Sequence, residues 1–380
     1  MLIGGFPSEV LCSIPRPGVA LGPGKSELSV VRCAIVMILV FAAAARFQGN
    51  DPVENLQAEP APPIEIRMGR SQGLDVAQPP ALSMTMEALP GMRKVETRRY
   101  VILSDLEDHE MVGHGRLLER AYHAVELFRS RLELEAHDHP TRMLAVAFGG
   151  RDRFLEFARD HDEINADWMA GYFAPHSDRL VYFHARDIPS ARIAARRIDR
   201  LEGRGGEFIA ARESLDQFVA QSTAAVVVHE AVHMILHARG IIPAESTVPL
   251  WLAEGLAASF EPIAPGRPFG PFQPEGGRTE AFRDDLAKDR VPPLEVLVSS
   301  STLPGDGKDM VRRFYDASAA FCGWLSRNEP QRLGRFITAA RDGAVGANRR
   351  DRLQAFEEIF GPIESIEGRW LRSERSRIDG

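Results

Sequence analysis

The sequence is poor in cysteine, in any excess of positive charge, and in long apolar runs. With 3 cysteines in 380 residues, it has no disulfide framework, so packing must hold it together. Cys12 and Cys33 lie in an N-terminal segment expected to be removed, which leaves Cys322, in "AAFCGWL", as a buried thiol. The net charge of −7 argues against nucleic acid as the main partner, because phosphate binding needs a basic face. The densest basic run, "ARIAARRIDRLEGRGGE" at 191–207, reads as a solvated helix and loop. No Gly-x-Ser-x-Gly stretch occurs, which weakens any serine hydrolase reading. "GPGKS" at 22–26 has Val19 where a phosphate-binding loop needs its first glycine.

The apolar run from Cys33 to Ala45 spans 13 residues, short of the roughly 20 that a membrane-spanning helix needs. Arg32 precedes it, and Ala43 and Ala45 supply the small-x-small pattern of a cleavage site. These are the parts of a secretory signal cut near Ala45, and a start near Val30 or Val31 would place it at the N-terminus. The expected location is secreted or periplasmic, with no stable membrane span. An uncleaved signal would instead anchor the chain through residues 30–46.

What remains is ordinary for a soluble globular protein, and long enough to bury a sizeable core. Residues 47–95 carry seven prolines and no sustained apolar period, so they read as a flexible tether between the signal segment (1–46) and the fold. Order is expected from about Thr97. An N-terminal α/β lobe (96–218) holds the strands "RRYVILSD", "RMLAVAF" and "DRLVYF", with helices between them. A helical lobe (219–380) follows. It opens with a helix over 222–239 stopped by Gly240, then a second helix entered through Pro249. Strands first and helices later make an α+β fold.

The informative stretch is "VVVHEAVHMILH" at 226–237, which contains His229-Glu230-x-x-His233. Residues four apart on a helix point the same way, so His229 and His233 can share one tetrahedral zinc. Glu230 can then reach a water on the open position and serve as general base. A third ligand is required. The His-x-x-Gly-x-x-His extension fails, because Leu236 and Arg239 stand where glycine and histidine belong. A glutamate on a following helix is the other solution, and "PLWLAEGLA" supplies Glu254, with 20 residues between it and His233. Glu261 and Glu245 are the neighbouring carboxylates expected to be dispensable. His237 and the run His137-Asp138-His139 are weaker metal candidates.

His229-Glu230-x-x-His233 followed by Pro-x-Trp-Leu-x-Glu-Gly resembles the gluzincin, or peptidase MA-like, superfamily of zinc metallopeptidases, and within it an exported bacterial branch. The similarity extends over 98–372, through "YVILSD", "AGYFAPHSDRLVYF" and "FYDASAAFCGWL". It implies a gluzincin-like domain with Zn²⁺ on His229, His233 and Glu254, Glu230 as catalytic base, and a peptide or protein substrate. Tyr315, on the helix after the Glu254 motif, becomes a candidate donor to the oxyanion. The sequence departs from better-known relatives in having no Gly-x-Met-Glu-Asn stretch. It also has Ala258 where an aspartate four residues after Glu254 would orient a ligand histidine. The expected function is an exported zinc-dependent peptidase; the alternative is a non-catalytic protein keeping the fold and metal. The strand "DRLVYF" is expected at the sheet edge, as one wall of the substrate cleft.

Overall fold

A computed structural model describes residues 67–68 and 77–378, apart from 166–168, 202–204, 244–247, 265, 274 and 305–306. The signal segment lies outside the described residues. Six strands form one mixed sheet: β1 (Arg67–Met68), β2 (Arg93–Glu96), β3 (Tyr100–Ser104), β4 (Met143–Phe148), β5 (Gly171–Ala174) and β6 (Arg179–Phe183). Their order is β1-β2-β3-β4-β6-β5. β3, β4 and β6 are parallel, with Ile102 opposite Ala145 and Val146 opposite Val181. These three strands are buried along their whole length, and so they read as continuous apolar runs rather than alternating ones.

Helices cover both faces. Above one lie α1 (Leu82–Ala88) and α3 (Arg151–Asp162); Leu82 packs on Val101, Leu103 and Leu144, and Phe154 packs on Phe183 and Tyr172. Against the other lie α2 (Asp108–Arg131) and the long α5 (Gly206–Ala238), with α4 (Pro189–Asp199) beside it. Seven further helices complete the chain: α6 (Leu250–Ser259), α7 (Gly277–Leu286), α8 (Leu294–Ser299), α9 (Lys308–Asn328), α10 (Pro330–Arg341), α11 (Arg349–Phe360) and α12 (Ile363–Arg375). The fold is α+β.

The structure corrects three expectations. The tether does not run to residue 95, because α1 and β2 fall inside it. Pro79 and Pro80 lie before α1 and Pro90 lies between α1 and β2, so these prolines punctuate elements instead of breaking them. Thr85 of α1 is buried and its hydroxyl accepts from Arg179 of β6 at 3.1 Å. Second, the lobe boundary at 218–219 lies within α5, and one continuous core runs from the sheet through α5 to α6 and α9. Third, β6 is paired on both sides, and β5 holds the free edge.

Among the described residues α5 is the one helix long and apolar enough to cross a membrane, but 83% of its apolar window is buried inside the protein. It is a core helix. It ends as expected, with Gly240 in the left-handed region at φ +64°. Downstream, α6 lies so close to α9 that a Cβ on Gly255 would meet the Ser318 carbonyl oxygen at 2.6 Å and Cys322 Sγ at 2.9 Å. Gly255→Ala should therefore cost about 1–3 kcal/mol in urea unfolding. Gly113→Ala, on an exposed turn of α2 with nothing within 4 Å, should instead stabilise by about 0.5–1 kcal/mol.

Candidate metal centre

α5 carries His229 and His233 one turn apart, and α6 brings Glu254 across to them. The two Nε2 atoms are 3.2 Å apart. Glu254 Oε2 lies 3.4 Å from that of His229 and 3.6 Å from that of His233. Donors about 2.0–2.1 Å from a tetrahedral metal stand about 3.3–3.4 Å apart. The three atoms thus outline one face of a tetrahedron, and these residues could hold a metal ion. Among the described residues, two buried oxygens of this site, Glu254 Oε2 and Glu230 Oε1, have no hydrogen-bond partner. An orphaned carboxylate oxygen in the interior is costly unless something charged meets it. The donor set fits a metal.

The electrostatics fit as well. Burial opposes a charge on His229, yet Glu254, Glu261 and Glu230 outweigh it and push its pKa up to about 10. Burial likewise opposes ionisation of Glu254, but His233 and His229 hold it at about 2. Glu230 goes the other way: burial raises its pKa, and the histidines offset this only in part. A backbone hydrogen bond from Phe173 also reaches its carboxylate. In the β5–β6 pairing, Phe183 N–H donates to Ala170, so alternate residues 171 and 173 turn their backbone groups to the free edge. Phe173 N–H is therefore available to Glu230, and the sheet edge fixes that carboxylate beside the ligands.

Sequence reasoning missed the group that orients the ligands. Glu261 Oε1 lies 2.9 Å from His229 Nδ1, which leaves Nε2 free to face the metal position. Glu261 is not the bystander it was expected to be. Glu261 stands three residues past Ala258, just beyond the end of α6. Seven residues from Glu254 was the available signal. Arg278 grips Glu261 from behind, Nε to Oε2 at 2.9 Å and Nη2 to Oε1 at 3.1 Å. Tyr315 is brought to the site, with its ring centre 6.5 Å from that of His229, but its hydroxyl is engaged with Glu254. The weaker candidates are elsewhere: His237 packs 5.3 Å from the Phe173 ring, and His139 pairs with Thr141 at 3.2 Å.

A family profile described as "Protein of unknown function (DUF1570)" matches residues 223–341. The match covers less than half of the chain. It takes in every residue of this centre carried by α5, α6, α7 and α9, but not Phe173 of the sheet. Comparison with curated proteins finds no match.

His233→Ala and Glu254→Ala should each abolish tight binding of one divalent ion per chain, measured by metal analysis after dialysis. Glu261→Ala should weaken it about 10–100-fold without abolishing it; equal loss in all three would make Glu261 a ligand. Below its raised pKa, His229 holds a proton that a metal must displace. Affinity should fall about tenfold for each unit by which the pH is lowered through the neutral range, with a proton released on binding. Isothermal titration in buffers of different ionisation enthalpy checks this, and a pH-independent affinity would contradict it.

Proposed function

We propose that the chain is an exported zinc-dependent peptidase of gluzincin type. The observation that supports this most is Glu230. A site that merely held a metal would need His229, His233 and Glu254, and would have no use for a second carboxylate. Yet Glu230 is buried beside them, with a raised pKa and one oxygen unpartnered. Such a carboxylate suits a general base, whose proton affinity should approach the working pH. Zinc is the ion of choice because two imidazoles and one carboxylate, with a fourth position open, are its characteristic hydrolytic donors.

Bound at this triad, zinc would supply the Lewis acidity that polarises a carbonyl and acidifies a water. The chain's own residues do the rest. Glu230 takes the proton of the attacking water and passes it to the leaving amine. Phe173 N–H keeps the Glu230 carboxylate from swinging away. Glu261 fixes the His229 tautomer, and Tyr315 steadies Glu254. Peptide as the substrate class rests on the motif resemblance, and export rests on the signal-like segment before residue 46.

Glu230→Gln should keep the metal and the fold while losing about 10²–10⁴-fold in turnover. The measurement is cleavage of a peptide library by the mature chain, with zinc and with chelator. Unchanged turnover in this variant would remove Glu230 from the chemistry. A zinc-loaded parent that cleaves nothing would leave a binding protein as the better reading.

A further inference from the structure

A line of buried charges runs back from the metal-facing side of the triad, and the proposed reaction does not use it directly. Glu261 leads from His229 to Arg278. Arg278 Nη1 reaches Asp316 Oδ1 at 3.3 Å. Arg312 then bridges Asp316 and Asp285, at 2.7 Å each. Asp285 ends the line on Arg290 at 2.6 Å, where the arginine side chain is 42% exposed. The signs alternate, so each buried charge meets its opposite on both sides, as the interior requires.

We propose that Arg278 is the positioning residue of this centre, holding His229 through Glu261 in the geometry that the metal needs. This rests on the metal-binding part of the reading above and not on the choice of substrate. The planar fork of an arginine matches both oxygens of a carboxylate, and it sets the rotation of that carboxylate as well as its place. Here the Nε and Nη2 edge takes both oxygens of Glu261 while Nη1 is drawn back by Asp316. The Glu261 oxygen facing His229 Nδ1 therefore has one position. A lysine would keep the charge but would be a single point, leaving Glu261 free to turn about its own axis. Arg278 stands in the first turn of α7, Asp316 on α9, and Glu261 just beyond α6. One guanidinium thus locks three segments around a site that only α5 and α6 furnish with ligands.

The test is zinc affinity of the full chain, by competition with a chromophoric chelator, together with the visible absorption of cobalt(II) in the same site. Arg278→Lys should weaken zinc at least about tenfold, within the range for partners one step behind a ligand, and should alter the cobalt band. In a Glu261→Gln background the same substitution should add less than about twofold, because its route to His229 is already loosened. A purely structural arginine would lower the melting temperature of the metal-free protein and leave zinc affinity of the folded chain within twofold of the parent. That result would overturn the proposal, as would full additivity with Glu261→Gln. Should Arg278→Lys fail to fold, Asp316→Asn releases Arg278 from behind while leaving Glu261 and every ligand in place. It should weaken zinc by a factor that likewise vanishes in the Glu261→Gln background, and unchanged affinity there would also overturn the proposal. A parent that binds no metal would overturn this inference together with the metal reading. A parent that binds zinc but cleaves nothing would overturn only the peptidase assignment.

Discussion

An imidazole with no solvent exposure must find partners for both of its nitrogens inside the protein. His229 is such a ring, 0% exposed in the middle of α5, and much of the molecule is arranged around its two demands. Nδ1 faces Glu261 and Nε2 faces the point shared with His233 and Glu254. Each partner is itself a buried charge with its own need. Glu261 calls for Arg278, Arg278 for Asp316, and Asp316 for Arg312. The requirement moves outward until it reaches Arg290 at the surface. Breaking any member would strand a charge in the interior, which is more damaging than never having placed the pair there.

That constraint explains the shape of the helical region. α6 must cross α5 closely enough to deliver Glu254, and α9 must back α6 closely enough to deliver Tyr315 and Asp316. Gly255, next to the ligand glutamate, is what permits the second approach, because a side chain there would strike the α9 backbone. The apolar residues around these groups supply the driving force. Trp251, Phe321, Phe336 and Phe356 pack edge to face and tilted across α6, α9, α10 and α11. The polar line passes beside that cluster and gives it a single register.

The sheet contributes through its edge. Among the described residues β5 ends the sheet, so no strand receives the Phe173 backbone N–H, and Glu230 accepts it. Asp162 of α3 accepts from Tyr172 of β5 at 2.8 Å and from Arg179 of β6 at 2.7 Å, which holds the β5–β6 hairpin to α3. The proposed base is therefore set by α5 on one side and by the hairpin on the other.

The i, i+4 histidine pair, the glutamate between them and the glutamate beyond Pro-x-Trp-Leu were legible in the sequence, because helix geometry converts spacing directly into a shared face. The central strands were legible for a similar reason, since burial on both faces leaves an unbroken apolar run. Strand order was not, because nothing in "GYFA" or "RLVYF" says which one has a neighbour on both sides. Prolines 79, 80 and 90 misled the reading of the tether, since composition does not say whether a proline breaks an element or stands between two. Glu261 was visible but unassigned, standing three residues past Ala258, where that carboxylate is expected. Arg278 and Asp316 were beyond reach, 17 and 55 residues from Glu261, joined to it only by the packing of α7 and α9. The sequence by itself determined which groups could meet a metal, because those groups are spaced by one helix and its successor. Only the tertiary structure decided what holds them still, because buried charges choose partners by distance in space, which carries no period along the chain.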